Sequence, residues 1–481
     1  MRRLVALALA AGLLLAGCTD SSPTPPPPSA SASAPPVADG GPPVAEGGTP
    51  FGAHWDPSRY QQFEPYLRKL AGSATYYELV WCNVERQQGQ RNWSGVDRFA
   101  QRARELGITV HIKIRVGLCW ATGGTAQHTR GQANKTESAM PRDLATYKSF
   151  VDAVVRRYAP YGVREYAVEN EVNAPSYWVG SADDYLRLVD AAAAAVRAAD
   201  PNAAVVDSGI SSVGYGMGIA DRLLRAGQEQ QAVQAYQRYF ERRIGTRGQQ
   251  IPAVSSATDL RAVLAQPRNA HHLRFLAATE DLLDRKVVNV RQVHFYEPWG
   301  SVPDLLAYLS AETPAGIPIE AWEVGQFWRP ADAAAADTAA RAGEMVKTVT
   351  QLAAAGVRQI MWLPLAYNAN REGGEERYGL LEPDGRERVT GQMLANLAAA
   401  SRDATAQPVN DKGLRGVAFR RGGESTLVVW SDGPVVTVPG TSGFSAGPVE
   451  SAPAPSDGVR VGTNPVLLKA PRPPADILGA D

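Results

Sequence analysis

From Phe51 to about Ala400 the chain alternates short β-rich runs with amphipathic helical runs, and this alternation leaves few folds open. The β-rich runs are Gly52 to Trp55, Thr75 to Trp81, Thr109 to Val116, Arg164 to Glu171, Ala203 to Ser208, Val290 to Tyr296, Ile317 to Glu323 and Gln359 to Leu363. Helical runs separate them, among them Val96 to Leu106, Asp143 to Tyr158, Ala182 to Ala199 and Asp332 to Ala355. Asp143 and Asp332 stand where a side chain would cap the first free N–H groups of a helix. Eight β/α units fit a closed ring of strands better than an open doubly wound sheet, which would carry a Gly-rich phosphate turn after its first strand. No such turn is present.

The expected fold class is therefore α/β: a (β/α)8 TIM barrel over 51–400 with a small C-terminal all-β domain over 405–470. In that last part, Gly416 to Val438 and Gly458 to Leu468 are β-type segments separated by Gly, Pro and Ser. Its expected role is to pack against the barrel. Residues 471–481 read as a loose Pro-rich tail. One connection is long: Ile210 to Lys286, partly helical, lies between the fifth and sixth strands. It is either a lid or wall over the mouth of the barrel or a peripheral insertion with no contact to substrate.

The N-terminus gives a separate signal. Arg2 and Arg3 precede an apolar run from Leu4 to Leu15, too short to span a bilayer comfortably. Leu15-Ala16-Gly17-Cys18 follows and resembles a bacterial lipobox. That resemblance implies a signal peptide over 1–18, with lipidation of Cys18 and attachment to a membrane through the lipid alone. The bland alternative is an ordinary signal peptide in which Cys18 is incidental. Residues 19–50 are rich in Pro, Ser, Ala and Gly, cannot bury a core and read as an extended tether. The expected location is extracytoplasmic. Lys+Arg and Asp+Glu both number 49, so no basic excess points to nucleic acid as a partner. The chain is expected to act as a monomer. Cys82 and Cys119 are a pair that an exported protein would oxidise to a disulfide, the alternative being two buried thiols. No His-x-x-x-His or Cys-x-x-Cys pattern calls for a metal, and no cofactor is expected.

In such a barrel the side chains at the C-terminal strand ends carry the chemistry. The third strand alternates Val110, Ile112 and Ile114 with His111, Lys113 and Arg115. The helix-facing side must be apolar, so the three basic residues point inward. Buried cations need partners. Glu165, Glu169 and Glu171 share one parity on the fourth strand and could supply them. Arg115 and Glu171 are expected at the active site, with Lys113 and Glu169 as an ion pair below it. The fourth strand ends in Asn170-Glu171, the sixth in His294-Phe295-Tyr296, the seventh in Glu323, and the eighth contains Trp362. Glu320 has the opposite parity to Glu323 and should face the helices or a strand edge. Glu297 could line the site.

These strand ends resemble those of the large clan of retaining glycoside hydrolases on (β/α)8 barrels. Within it the chain is most similar to the β-xylosidase/α-L-iduronidase family and related endo-glycosidases. The resemblance covers roughly Phe51 to Ala400. It implies Glu171 as acid/base and Glu323 as nucleophile. It also implies that Asn170 hydrogen-bonds the sugar hydroxyl next to the anomeric carbon, and that His294, Tyr296 and Trp362 bind substrate or position Glu323. Arg115 and Trp178 are further candidates, and Trp55, Trp120 and Trp299 could offer flat faces to sugar, though each could equally be core. The implied partner is a carbohydrate and the implied reaction is hydrolysis of an O-glycosidic bond. A sugar-binding lipoprotein without activity and a transglycosylase remain as alternatives. Sequence does not separate hydrolysis from transfer, because both pass through one glycosyl-enzyme.

Overall fold

A computed structural model of the 481-residue chain describes residues 48–123, 137–245, 251–328, 339–366, 376–377, 379–439, 445–447, 452–453, 458–471 and 473–478. Cys18, the signal peptide, most of the tether and Asp332 lie outside the described residues. Among the described residues no helix is long and apolar enough to cross a membrane.

Eight parallel strands carry the fold: β1 (Phe51–Ala53), β2 (Ala74–Val80), β3 (Thr109–Arg115), β4 (Glu165–Val168), β5 (Ala204–Val206), β6 (Arg291–Phe295), β7 (Ile319–Val324) and β8 (Ile360–Trp362). They pair as β2-β3-β4-β5 and β6-β7-β8-β1, and parallel bridges Val206–Val290 and Ile210–Val293 join β5 to β6. Between β1 and β2 the backbones press together at Gly52, where a Cβ would come within 2.2 Å of the Ala74 carbonyl oxygen. Only glycine fits there. This order fits a (β/α)8 barrel.

Alternation along the strands builds two cores. Val110, Ile112 and Ile114 join the main hydrophobic core. A second, small cluster gathers Ala74, Tyr76, Ala167, Val206, Val290, Trp322 and Met361, contributed from or beside six of the strands. That is what inward-facing residues of a ring of strands produce.

Local signals set the helices. Asp143 accepts hydrogen bonds from the Ala145 and Thr146 N–H groups and starts the helix Leu144–Tyr158, as its sequence position predicts. Ser181 and Asp184 form a reciprocal capping box at the start of Ala182–Ala199.

Among its described residues the long connection holds four α-helices: Ser212–Arg225, Glu229–Tyr239, Ala257–Leu264 and Pro267–Asp284. It contacts loops at the strand ends. His272 Nδ1 lies 2.9 Å from Asn173 Nδ2, on the loop that follows Glu171. Arg243 Nε donates to Glu297 at 2.7 Å, on the loop that follows Tyr296. The insertion thus buttresses two loops at the strand ends. Glu297 is buried against Arg243 and faces the insertion.

After Ser401 come antiparallel strands, beginning with Thr405–Asp411, Leu414–Arg421 and Glu424–Trp430. Their Val417, Phe419 and Val428 join the main core, and Phe419 meets Phe51 edge to face at 5.9 Å. The Lys347 ammonium lies 4.0 Å from the Trp299 ring and 5.7 Å from the Trp430 ring, a cation–π clamp between helix, loop and sheet. Trp299 is therefore an anchor of this contact.

Two boundaries differ from expectation. Thr49 is buried and its hydroxyl lies 2.7 Å from that of Ser401, so the chain joins the fold at the end of the proposed tether. Part of the expected tail is the helix Pro474–Leu478, whose Ile477 and Leu478 pack into the core of the C-terminal sheet. A short run with two adjacent aliphatic residues can bury them even after a Pro-rich stretch.

Candidate active site

The site forms where β4 and β7 end. β4 stops at Val168, and both Glu169 (φ 69°) and Glu171 (φ 41°) take left-handed backbone conformations. Such conformations cost a non-glycine residue of order 1–3 kcal/mol and persist where surroundings impose them. Here the Glu169 N–H donates to Ile114 O at 3.0 Å, and the Glu171 N–H is shared between Ser208 O and Gly209 O, each at 3.1 Å. Neighbouring strands hold the bend.

The bend ends the alternation and corrects two expectations. Glu169 swings against β3, where its carboxylate accepts from the Val116 N–H at 2.7 Å and lies 3.6 Å from Arg115 Nε. Lys113 loses that partner. Its Nζ donates instead to Asn170 Oδ1 at 2.6 Å and to Glu323 Oε1 at 2.8 Å. Arg115, expected at the site, is buried in the wall between Glu169, Glu78 at 3.5 Å and the ring of Tyr177 at 4.9 Å.

β7 departs from strict alternation as well. Arg291 pairs with Ile319 and Gln292 with Glu320, but His294 pairs with Glu323. One extra residue is therefore accommodated in β7, a bulge that re-aims a side chain. Glu320, Trp322 and Glu323 all face inward. Glu320, expected outside, is buried below the site. It accepts from Trp322 Nε1 at 2.7 Å and pairs with Arg358. Burial and the neighbouring Glu320 push Glu165 well above the usual carboxylate range, and His111 is driven down to about 4 by burial. Trp322 stacks on His111 at 4.8 Å.

Glu323 is the most heavily held carboxylate. Oε1 accepts from Lys113 and from Tyr76 Oη at 3.1 Å, and Oε2 accepts from Tyr296 Oη at 2.8 Å. His294 Nδ1 lies 3.6 Å from Glu323 Oε2 and 3.0 Å from Glu171 Oε1, while its Nε2 lies 3.0 Å from Gln292 Oε1. Burial raises the Glu323 pKa. The charges of His294 and Lys113, with the bonds from Lys113 and Tyr296, outweigh burial and hold it well below the usual range. Oxygens of Glu171 and Glu323 and a ring nitrogen of His294 all lie within 4.8 Å of one another. Such a triad could in principle ligate a metal, as could His111, Glu165 and Glu320. In the first, the Lys113 ammonium already neutralises Glu323.

Five of the residues selected from sequence thus meet here: Asn170, Glu171, His294, Tyr296 and Glu323. The aromatic candidates fare differently. Trp178 is buried and its Nε1 donates to Ser181 O at 3.2 Å, so it anchors its loop. Trp55 is buried and stacked on Phe99 at 4.8 Å. Trp362 ends β8 but is fully buried and presents no exposed face. Trp120 is partly buried and donates to Glu85 O at 2.7 Å. Tyr76 and the site role of Lys113 escaped the sequence reading. Tyr76 shares inward parity with Ala74 on β2, so the alternation used on β3 would have singled it out. Cys82 and Cys119 form a disulfide, with Cα atoms 5.5 Å apart, that ties the loop after β2 to the loop after β3.

No protein-family model matches the sequence, and no curated protein matches it. Solved structures do. A family 39 glycoside hydrolase from the gut symbiont Bacteroides cellulosilyticus WH2 superposes with a TM-score of 0.59 at 14% identity, covering 88% of this chain and 80% of that one. A family 39 β-xylosidase from Caulobacter crescentus gives 0.57 at 15%, covering 90% and 97%. A glucosidase from Croceicoccus marinus gives 0.54 at 12%, covering 89% and 97%. At these identities the likeness is one of fold, and it fits the barrel that the alternation predicts.

Proposed function

We propose that this chain is an O-glycoside hydrolase acting with retention on a poly- or oligosaccharide, on a closed (β/α)8 barrel held outside the cytoplasm by lipid on Cys18. The observation that carries the reading is the approach of Glu171 and Glu323, with an oxygen of each within 4.8 Å. Retaining glycosidases need two carboxyls about 5–5.5 Å apart, whereas inversion needs about 6.5–9.5 Å to admit a water. The names of the neighbours, a β-xylosidase and a glucosidase among them, support the substrate class.

The roles follow from the contacts. Glu323, kept ionised, attacks the anomeric carbon while the bond to the leaving oxygen breaks. Glu171 gives its proton to that oxygen. Glu171 then takes a proton from water, which attacks the same carbon and releases Glu323. His294 touches both carboxylates and sets their relative position.

The test is turnover of aryl glycosides and bacterial polysaccharides by the parent, Glu323→Ala and Glu171→Ala. Glu323→Ala should abolish turnover. Glu171→Ala should keep activity on substrates with good leaving groups and be rescued by azide. Product of inverted configuration, or full activity in Glu323→Ala, overturns the assignment. For the anchor, the parent should incorporate radiolabelled palmitate in a bacterial host and Cys18→Ala should not.

A further inference from the structure

Lys113 is fully buried, yet no acidic residue of its own strand faces it. Its ammonium meets Glu323 at 2.8 Å, Asn170 at 2.6 Å, His294 Nε2 at 3.3 Å and the face of Tyr76 at 4.1 Å. An ammonium has three donors and no acceptor. The Asn170 amide must therefore turn its oxygen toward Lys113, which sends Nδ2 the other way. Asn170 Nδ2 is buried and has no hydrogen-bond partner among the described residues. A buried donor without a partner costs about 1–3 kcal/mol, a cost tolerated where a ligand supplies the acceptor.

We propose that Lys113 is the positioning residue of this site, one ammonium that holds the Glu323 carboxylate in place and fixes the Asn170 amide with its N–H group offered to the substrate. This rests on the glycosidase reading for its second half only. On the glycosidase reading that acceptor is the sugar hydroxyl next to the anomeric carbon, the partner the resemblance already implies for Asn170. A 2-deoxy sugar lacks it.

The charge on Lys113 also acts on Glu323. The other groups facing that carboxylate are His294 and Tyr296 from β6, Tyr76 from β2 and Glu171 from the end of β4. Tyr76 shares Oε1 with the ammonium and Tyr296 holds Oε2, both through uncharged hydroxyls, while His294 stands off at 3.6 Å.

A carbon-13 titration of the intact protein, labelled at glutamate Cδ, tests the first half without any substrate. The Glu323 resonance is assigned by its loss in Glu323→Gln. Lys113→Gln keeps a donor and loses the charge, so its Glu323 should titrate about 1–3 pH units higher than in the parent. Lys113→Arg should restore most of the difference. An unchanged Glu323 titration in Lys113→Gln overturns the proposal, whatever the chain hydrolyses. With aryl glycosides, the parent should prefer a 2-hydroxyl over a 2-deoxy substrate, and Lys113→Met should narrow that preference at least about tenfold, the loss of roughly one hydrogen bond. If Lys113→Met does not fold, Lys113→Gln serves, since its amide no longer forces an acceptor on Asn170. An unchanged preference in a folded variant overturns the amide-orienting role. A parent that turns over no glycoside removes the glycosidase reading, while the titration still decides on Lys113 and Glu323.

Discussion

The backbone of Gly209 lies directly against the imidazole of His294: a Cβ on Gly209 would come within 2.3 Å of His294 Nε2. Gly209 also has φ +65°, a conformation that side chains other than glycine rarely adopt. Gly209→Ala should push His294 away from Glu171 and Glu323. We expect kcat to fall by about a hundredfold or more, as when a positioned group shifts by about 1 Å, with a lowered melting temperature. A variant with parental kcat would show that His294 does not position the carboxylates.

Tyr296 Oη donates to Glu323 Oε2 at 2.8 Å. A hydrogen bond to a charged group contributes about 1.5–3 kcal/mol. Tyr296→Phe should therefore lower kcat roughly ten- to a hundredfold with KM nearly unchanged. The acid limb of the rate profile should also rise, because one stabiliser of ionised Glu323 is gone. A change confined to KM would place Tyr296 in substrate binding instead.

Burial raises the Glu169 carboxyl to about 7, against the pull of Arg115 and the Val116 N–H. Its folded pKa thus lies above the ordinary 4.5, so folding holds the proton longer. The stability it contributes is full below about 4.5 and is lost as pH rises through about 7. Glu169→Gln cannot titrate. The stability of the parent relative to Glu169→Gln should fall by about 3 kcal/mol between the two limits. Urea denaturation across that range measures it, and a constant difference would contradict the buried, proton-holding state.

The Cys82–Cys119 bond closes a loop with a sequence separation of 37. Loop entropy gives such a bond about 4 kcal/mol of stability. The double variant Cys82→Ser/Cys119→Ser should melt lower by a corresponding amount. Intact mass should rise by two hydrogens when the parent is reduced under denaturing conditions. Labelling of both thiols without reductant would refute the bond.

Much of the site was legible from strand-end position. Glu171 follows a β-rich run after a well-formed helix, and Glu323 ends another, and in a parallel α/β ring strand ends converge. The inward direction of His111 and Lys113 was also legible, because an apolar helix-facing side leaves the polar residues no other place. Alternation misled at Glu169 and Glu320. It assumes an unbroken strand, whereas β4 bends left-handed at Glu169 and β7 takes up an extra residue before Glu323. The tryptophans misled for another reason. A large flat ring satisfies a loop or core contact as readily as a sugar, and composition does not say which.

The alternation of strands and helices, the apolar outer faces and the two glutamates at strand ends are carried by residue order alone. These depend on residue types repeating at fixed periods, which a chain carries with it into any fold that satisfies them. It takes the folded chain to pair Lys113 with Glu323 rather than Glu169, to turn both Glu320 and Glu323 inward, and to prop the loops after Glu171 and Tyr296 with the insertion. The second outcome rests on a register shift in β7 and the third on side-chain contacts, while the first depends on which carbonyl of a neighbouring strand catches a given N–H. Ser208 and Gly209, remote from Glu171 in the chain, do so here, and no local period encodes them.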